Sequence, residues 1–320
     1  MVPFENHARR PFTDPAVTAD GAPRARVAFK RLETLWVNTG TQCNIECVNC
    51  YIKSAPTNDA LVYITLADIR PFLEEAHAMG AREIGFTGGE PFLNPHAPAM
   101  AEAALKLGMD VLVLTNAMRP MMRPIVQAAL LKLKDEFGAR LKLRVSLDHS
   151  TATAHDRERG AGAFDITMDG VRWLTDNDFA VSIAGRITYT DGDETVARSG
   201  FAKLFADHKL NLDAGPSELV LFPEMDESAP TPEISDACWE LTGASPDAMM
   251  CASARMVAKR KGANAPTILA CTLITEDPAF ELGETLSAAT APVALNHPHC
   301  SRFCVLGGAS CSGNSPSDDG

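Results

Sequence analysis

At 320 residues with 46% hydrophobic side chains, the chain is long enough for one large core and a smaller second domain. Its formal net charge of −12 argues against a nucleic-acid phosphate backbone as principal partner, and no stretch is long and apolar enough to span a bilayer. Nine cysteines, an odd number and clustered, favour metal clusters in a reducing cell over a secreted disulfide framework.

Residues 1–30 read as an N-terminal extension in which Arg9, Arg10, Arg24, Arg26 and Lys30 are scattered among prolines without the apolar segment of a signal peptide, so the expected compartment is the cytoplasm. The first strand, near Leu35 to Asn38, leads into Cys43-Asn44-Ile45-Glu46-Cys47-Val48-Asn49-Cys50-Tyr51. Three thiolates at this spacing can wrap one [4Fe-4S] cube from a single loop and leave its fourth iron open, whereas an electron-carrying cube takes four cysteines. The same loop could hold structural zinc if a fourth ligand came from elsewhere. A helix over Ile69 to Met79 stops at Gly80, and a strand over Glu83 to Thr87 runs straight into Gly88-Gly89-Glu90-Pro91. Two glycines at a strand end let the backbone approach a ligand closely, and the proline ends strand pairing.

Together the CxxxCxxC loop and the Gly-Gly-Glu-Pro segment resemble the radical S-adenosylmethionine (SAM) superfamily, which carries them after the first and second strands of a barrel. The resemblance implies an open iron that chelates the amino and carboxylate groups of SAM. It also implies an electron delivered to the sulfonium and a 5′-deoxyadenosyl radical that abstracts a substrate hydrogen. It places the backbone of Gly88 to Glu90 on the methionyl amino group, while the Glu90 carboxylate either joins that contact or braces the turn. The family usually has an aromatic residue immediately before the third cysteine; here it is Asn49, and Tyr51 either replaces the ring or packs under the loop.

Further along, helices over Ala99 to Leu107 and Met121 to Phe137 stop at Gly108 and Gly138, and strands follow near Asp110 to Thr115, Leu141 to Leu147, Ala180 to Thr188 and Glu218 to Leu221. The expected fold is α/β, a partial (β/α)6 TIM-like barrel over residues 31–228 with ligands at the carboxyl ends of its strands. Thr115 and Asn116, Ser146 and Asp148, and Arg186 end the middle strands. By similarity to the family, Ser146 would bond the ribose or carboxylate of SAM, Arg186 would pair with the methionyl carboxylate, and Asn116 would join them. The run His155-Asp156-Arg157-Glu158-Arg159-Gly160 resembles a loop of these enzymes, with His155 as a solvated or capping group.

Prolines and acids over Pro223 to Pro232 end the barrel pattern, and residues 229–320 form a small cysteine-rich domain. Cys251 and Cys271 flank a basic hairpin with Lys261-Gly262, and Cys300, Cys304 and Cys311 crowd the end; Cys238 reads as a buried thiol. The layout is similar to SPASM and twitch extensions and implies one auxiliary iron-sulfur cluster, with Cys251, Cys271 and Cys300 as ligands and Cys304 and Cys311 competing for or sharing the rest. Zinc is the alternative. Such a cluster would accept an electron from a substrate radical or bind substrate directly. The expected partners are a small-molecule substrate ahead of a peptide and an electron donor such as flavodoxin or ferredoxin, with no nucleic acid and no membrane. Tyr189, Glu224 and Met225 sit where substrate would be read, or are equally scaffold. A non-catalytic iron-sulfur or zinc protein that senses redox state or binds a partner is the competing reading, and the Gly-Gly-Glu-Pro segment argues against it.

Overall fold

The computed structural model describes residues 10–187, 193–223 and 230–308. Six apolar runs become six parallel strands: β2 (Thr34–Asn38), β3 (Glu83–Thr87), β4 (Asp110–Thr115), β5 (Leu141–Ser146), β6 (Ala180–Arg186) and β7 (Leu219–Phe222) lie side by side in chain order. All five residues of β2 are buried, as expected where a parallel sheet is covered on both faces. A short β1 (Arg26–Val27) pairs antiparallel with β11 (Val293–Ala294) and ties the N-terminal extension to the C-terminal segment.

Helices α1 (Leu66–Ala78), α2 (Ala97–Lys106), α3 (Pro124–Phe137), the pair α4 (Ala152–Arg159) and α5 (Ala163–Asp176), and α6 (Glu194–Asp207) connect successive strands. Their apolar faces, with Ile69, Leu73, Met100, Leu130 and Val171, pack on the outward side chains Leu35, Val37 and Ile84. Helix α1 starts at Leu66, earlier than the sequence suggested, because Thr65 and Asp68 form a reciprocal capping box. Helix α3 starts later, at Pro124, since proline suits the first helical position and forces Arg123 into an extended conformation. The run from His155 to Arg159, expected as a loop, belongs to α4, and His155 is fully buried rather than solvated.

The cysteine-rich C-terminal segment adds to the same sheet. Strand β8 (Ala254–Ala258) pairs parallel with β2, and β9 (Thr267–Leu269) and β10 (Glu281–Gly283) extend the edge antiparallel, giving nine strands in the order β10-β9-β8-β2-β3-β4-β5-β6-β7. The hairpin between Cys251 and Cys271 is β8 and β9. A short helix α7 (Cys238–Thr242) and a π-helix over Cys300–Val305 complete the segment. A second core, with Met250, Met256, Phe280, Leu295 and Phe303, joins the segment to the inward side chains Trp36 and Leu112 of the barrel. Among the described residues, no helix is long and apolar enough to cross a membrane.

Candidate active site

The loops after β2 and β3 are stitched together before any ligand is considered. Gly89 N donates to Gly40 O at 2.8 Å, Glu90 N to Gln42 O at 3.2 Å, and Thr39 N to Thr87 O at 2.8 Å. A Cβ on Gly89 would sit 2.0 Å from Gln42 O, and one on Gly88, whose φ is +135°, would sit 2.5 Å from Gly40 O. The two glycines therefore admit the cysteine loop itself, and both still line the cavity at the barrel mouth.

Glu90 is buried, and its carboxylate accepts from Thr115 Oγ1 at 2.9 Å, Asn116 N at 2.8 Å and Phe92 N at 3.1 Å. Burial outweighs these bonds and pushes its carboxyl up to about 7. These bonds brace the turn after β3. Asn116, fixed by Glu90, donates from Nδ2 to Asn44 Oδ1 at 2.9 Å and to Cys43 Sγ at 3.8 Å, so it orients the first cysteine.

The far half of the cysteine loop is held by α4. Glu158 accepts from Val48 N through its carbonyl at 2.9 Å and from Asn49 Nδ2 through its carboxylate at 3.0 Å. Asn49, in the usual aromatic position, also offers its carbonyl to Arg186 Nη2 at 3.2 Å. Asp148 accepts from Arg159 Nε at 2.7 Å and Nη2 at 3.0 Å, and Arg186 Nε lies 3.4 Å away. Burial would raise the Asp148 carboxyl, but the two guanidiniums win and hold it at about 2. His155 accepts from Asp148 N at 3.2 Å, and burial, reinforced by Arg159, pushes it down to about 4.

These loops border a cavity lined by Cys43, Cys47 and Cys50 together with Gly88, Gly89, Asn116, Ser146, Arg159 and Arg186. Burial pushes the Cys43 thiol up to about 12, helped by Glu90 and the two other cysteines. Cys47 is also raised by burial, but Arg159 and Arg186 oppose the shift. Ser54 N donates to Cys50 Sγ at 3.3 Å. Arg186 is mostly buried, and its Nη1 makes no hydrogen bond while facing Glu158 at 3.7 Å. Thiols that share one cavity with backbone donors and two cations suit a soft-metal cluster, and the orphan Nη1 suits an added carboxylate. Tyr51 lines the cavity and packs against the C-terminal core.

A second cavity is lined by Cys251, Cys271, Cys300 and Cys304. Cys300 is pushed up by burial and by the neighbouring Cys271 and Cys251, and Leu273 N donates to Cys271 Sγ at 3.4 Å. Among the described residues, no three His, Cys, Asp or Glu side chains are arranged to hold a metal ion. The cysteines line two cavities, three in the first and four in the second. Cys238 stands apart, with Sγ 3.6 Å from Ser235 Oγ. Cys311, Tyr189, Glu224 and Met225 lie outside the described residues. Leu273 borders both cavities, and Phe303, stacked on Phe222 at 5.4 Å, closes the first beside Cys304.

Sequence reasoning did not nominate Glu158, Arg159, Leu273 or Phe303. For the α4 pair a signal existed: His155, Glu158 and Arg159 fall at i, i+3 and i+4, one face of a helix. For Leu273 and Phe303 there was none, because their role depends on how the C-terminal segment folds back on the barrel.

A family model, Radical SAM superfamily, matches residues 37–199, just over half of the chain. The chain is 27% identical over 144 residues to the antilisterial bacteriocin subtilosin biosynthesis protein AlbA of Bacillus subtilis (strain 168), covering 45% of this chain and 30% of that protein. It is 28% identical over 167 residues to an AdoMet-dependent heme synthase of Methanosarcina barkeri, covering 50% and 44%. Both matches span less than half of those relatives. The crystal structure of Streptococcus suis SuiB bound to S-adenosylmethionine superposes with a TM-score of 0.58 at 13% identity, over 79% of this chain and 63% of that one, a likeness of fold.

Proposed function

Because this chain belongs to the radical SAM superfamily, whose enzymes use a [4Fe-4S] cluster and SAM, we propose that it cleaves SAM reductively and abstracts hydrogen from a substrate held at the barrel mouth. The observation that carries this reading is the convergence of Cys43, Cys47 and Cys50 on one cavity with the Gly88-Gly89 segment and the unbonded Nη1 of Arg186. When bound, the cluster and SAM supply the electron and the 5′-deoxyadenosyl radical.

The residues of the chain hold and orient. Cys43, Cys47 and Cys50 would ligate three irons, and the backbone at Gly88 to Glu90 would meet the methionyl amino group. Arg186 would take the methionyl carboxylate through Nη1, with Ser146 and Asn116 on the same cavity wall. Arg159 and Asp148 keep Arg186 in place, while Phe222, Phe303 and Leu273 exclude water. Cys251, Cys271, Cys300 and Cys304 would hold the auxiliary cluster. Four thiolates leave no iron open, which supports an electron-accepting role over direct substrate binding.

The cavity at the barrel mouth must take the cluster, SAM and the reacting carbon together. Two substrate classes are compatible with this site: a small molecule, which the sequence favoured, and a peptide. The two curated relatives divide on this point, one named for bacteriocin biosynthesis and the other for heme synthesis. The test is anaerobic reconstitution with iron and sulfide, reduction in the presence of SAM, and measurement of 5′-deoxyadenosine. Product from wild type but not from Cys47→Ala supports the reading; none from wild type under any reductant returns the chain to a redox sensor or structural metal protein.

A further inference from the structure

Arg255 follows Cys251, the first of the auxiliary-site cysteines, by four residues and is almost completely buried, at 1% exposure. Its Nη1 donates to Cys251 O at 2.6 Å and Ala254 O at 2.7 Å, its Nε donates to Ala289 O at 2.7 Å, and its guanidinium stacks 4.3 Å over the Phe29 ring. Nη2 makes no hydrogen bond, and among the described residues no carboxylate pairs with the side chain. Carbonyls and a ring face orient a guanidinium, but they do not supply the full negative charge that normally accompanies a buried cation.

We propose that Arg255 is the fixed countercharge of the auxiliary cluster and raises its reduction potential. The inference rests on the reading that Cys251, Cys271, Cys300 and Cys304 hold that cluster. A cube bound by four thiolates is anionic and gains one further negative charge when it takes up an electron, so a buried cation anchored on a ligand's own backbone stabilises the reduced state more than the oxidised one. In turnover that electron comes from the substrate radical; in the titration below it comes from dithionite. A cluster poised in this way would be the better acceptor. The competing role for Arg255 is mechanical, a strut joining the carbonyls of Cys251, Ala254 and Ala289.

The test uses full-length protein with Cys43→Ala, Cys47→Ala and Cys50→Ala, so that any cluster signal comes from the auxiliary site. Iron per chain is counted, and the midpoint potential is read by electron paramagnetic resonance during a dithionite titration. If this background binds no iron, the auxiliary-cluster reading itself fails. If it binds about four irons, Arg255→Gln should lower the potential by at least about 59 mV, a tenfold change in a one-electron equilibrium. Arg255→Lys should move it by less than a third of that. A potential unchanged in Arg255→Gln with iron retained overturns the proposal. If Arg255→Gln loses its iron, Arg255→Lys decides: iron and potential both kept support the countercharge, whereas loss of iron or an equal fall in potential marks Arg255 as a strut.

Discussion

Asp148→Asn removes the charge that holds Arg159 and Arg186 in place. The carboxyl sits at about 2, against the ordinary 3.8 of an aspartate. At 1.36 kcal/mol per unit, the arginines contribute about 2 kcal/mol to folding through this group. Because the folded pKa is the lower one, that contribution is complete above pH 3.8 and is lost as pH falls toward 2. The asparagine variant also leaves two mostly buried guanidiniums facing a neutral amide, so the expected cost at pH 7 is about 2–4 kcal/mol. The same change frees Arg186 and α4 from β5, and with them the grip on Val48 and Asn49, so iron at the first cluster should be released faster. The assay is anaerobic urea unfolding of the apoprotein at pH 7, beside the rate of iron loss to a chelator from reconstituted protein. A change below about 0.5 kcal/mol, the range of an ordinary surface substitution, with iron retained as in wild type, would refute the clamp.

Gly89→Ala should cost about 1–3 kcal/mol, because its methyl would press on Gln42 O, and should roughly halve the iron bound by pushing the cysteine loop away while the auxiliary site stays loaded. His155 has a folded pKa of about 4 against 6.5, so its contribution is complete above pH 6.5 and is lost as pH falls to 4. Relative to His155→Gln, wild type should therefore lose about 2 kcal/mol between pH 7 and pH 5 when both are unfolded in urea, whatever other groups contribute to both. Cys304→Ser should reduce auxiliary iron, since Cys304 lines the same cavity as Cys251, Cys271 and Cys300; full iron in Cys304→Ser together with its loss in Cys311→Ser would transfer the fourth ligand to Cys311.

The barrel was legible in the sequence because its strands are short apolar runs with glycine-stopped helices between them, and β3 and β4 fall on the expected residues. The cysteine loop and Gly88-Gly89 were legible because their chemistry needs those residue types at fixed spacing. The role of the Glu90 carboxylate was not, since choosing between ligand and brace requires knowing that Thr115 and Asn116 come within hydrogen-bonding distance from the next strand. The clamp from α4 was missed because the run was read as a loop with His155 as a solvated or capping group, whereas the helix turns His155, Glu158 and Arg159 onto the cysteine loop and Asp148. The continuity of β8 with β2 was equally hidden, because a parallel pairing between residues more than two hundred apart leaves no local pattern.

The most direct test of the central claim, that Cys43, Cys47 and Cys50 present an open iron to SAM, is the electron paramagnetic resonance spectrum of the reduced protein before and after SAM is added. The account predicts that SAM alters one component of the wild-type spectrum and that this response is absent in Cys47→Ala, which keeps the auxiliary signal. A wild-type spectrum that SAM leaves unchanged would contradict it.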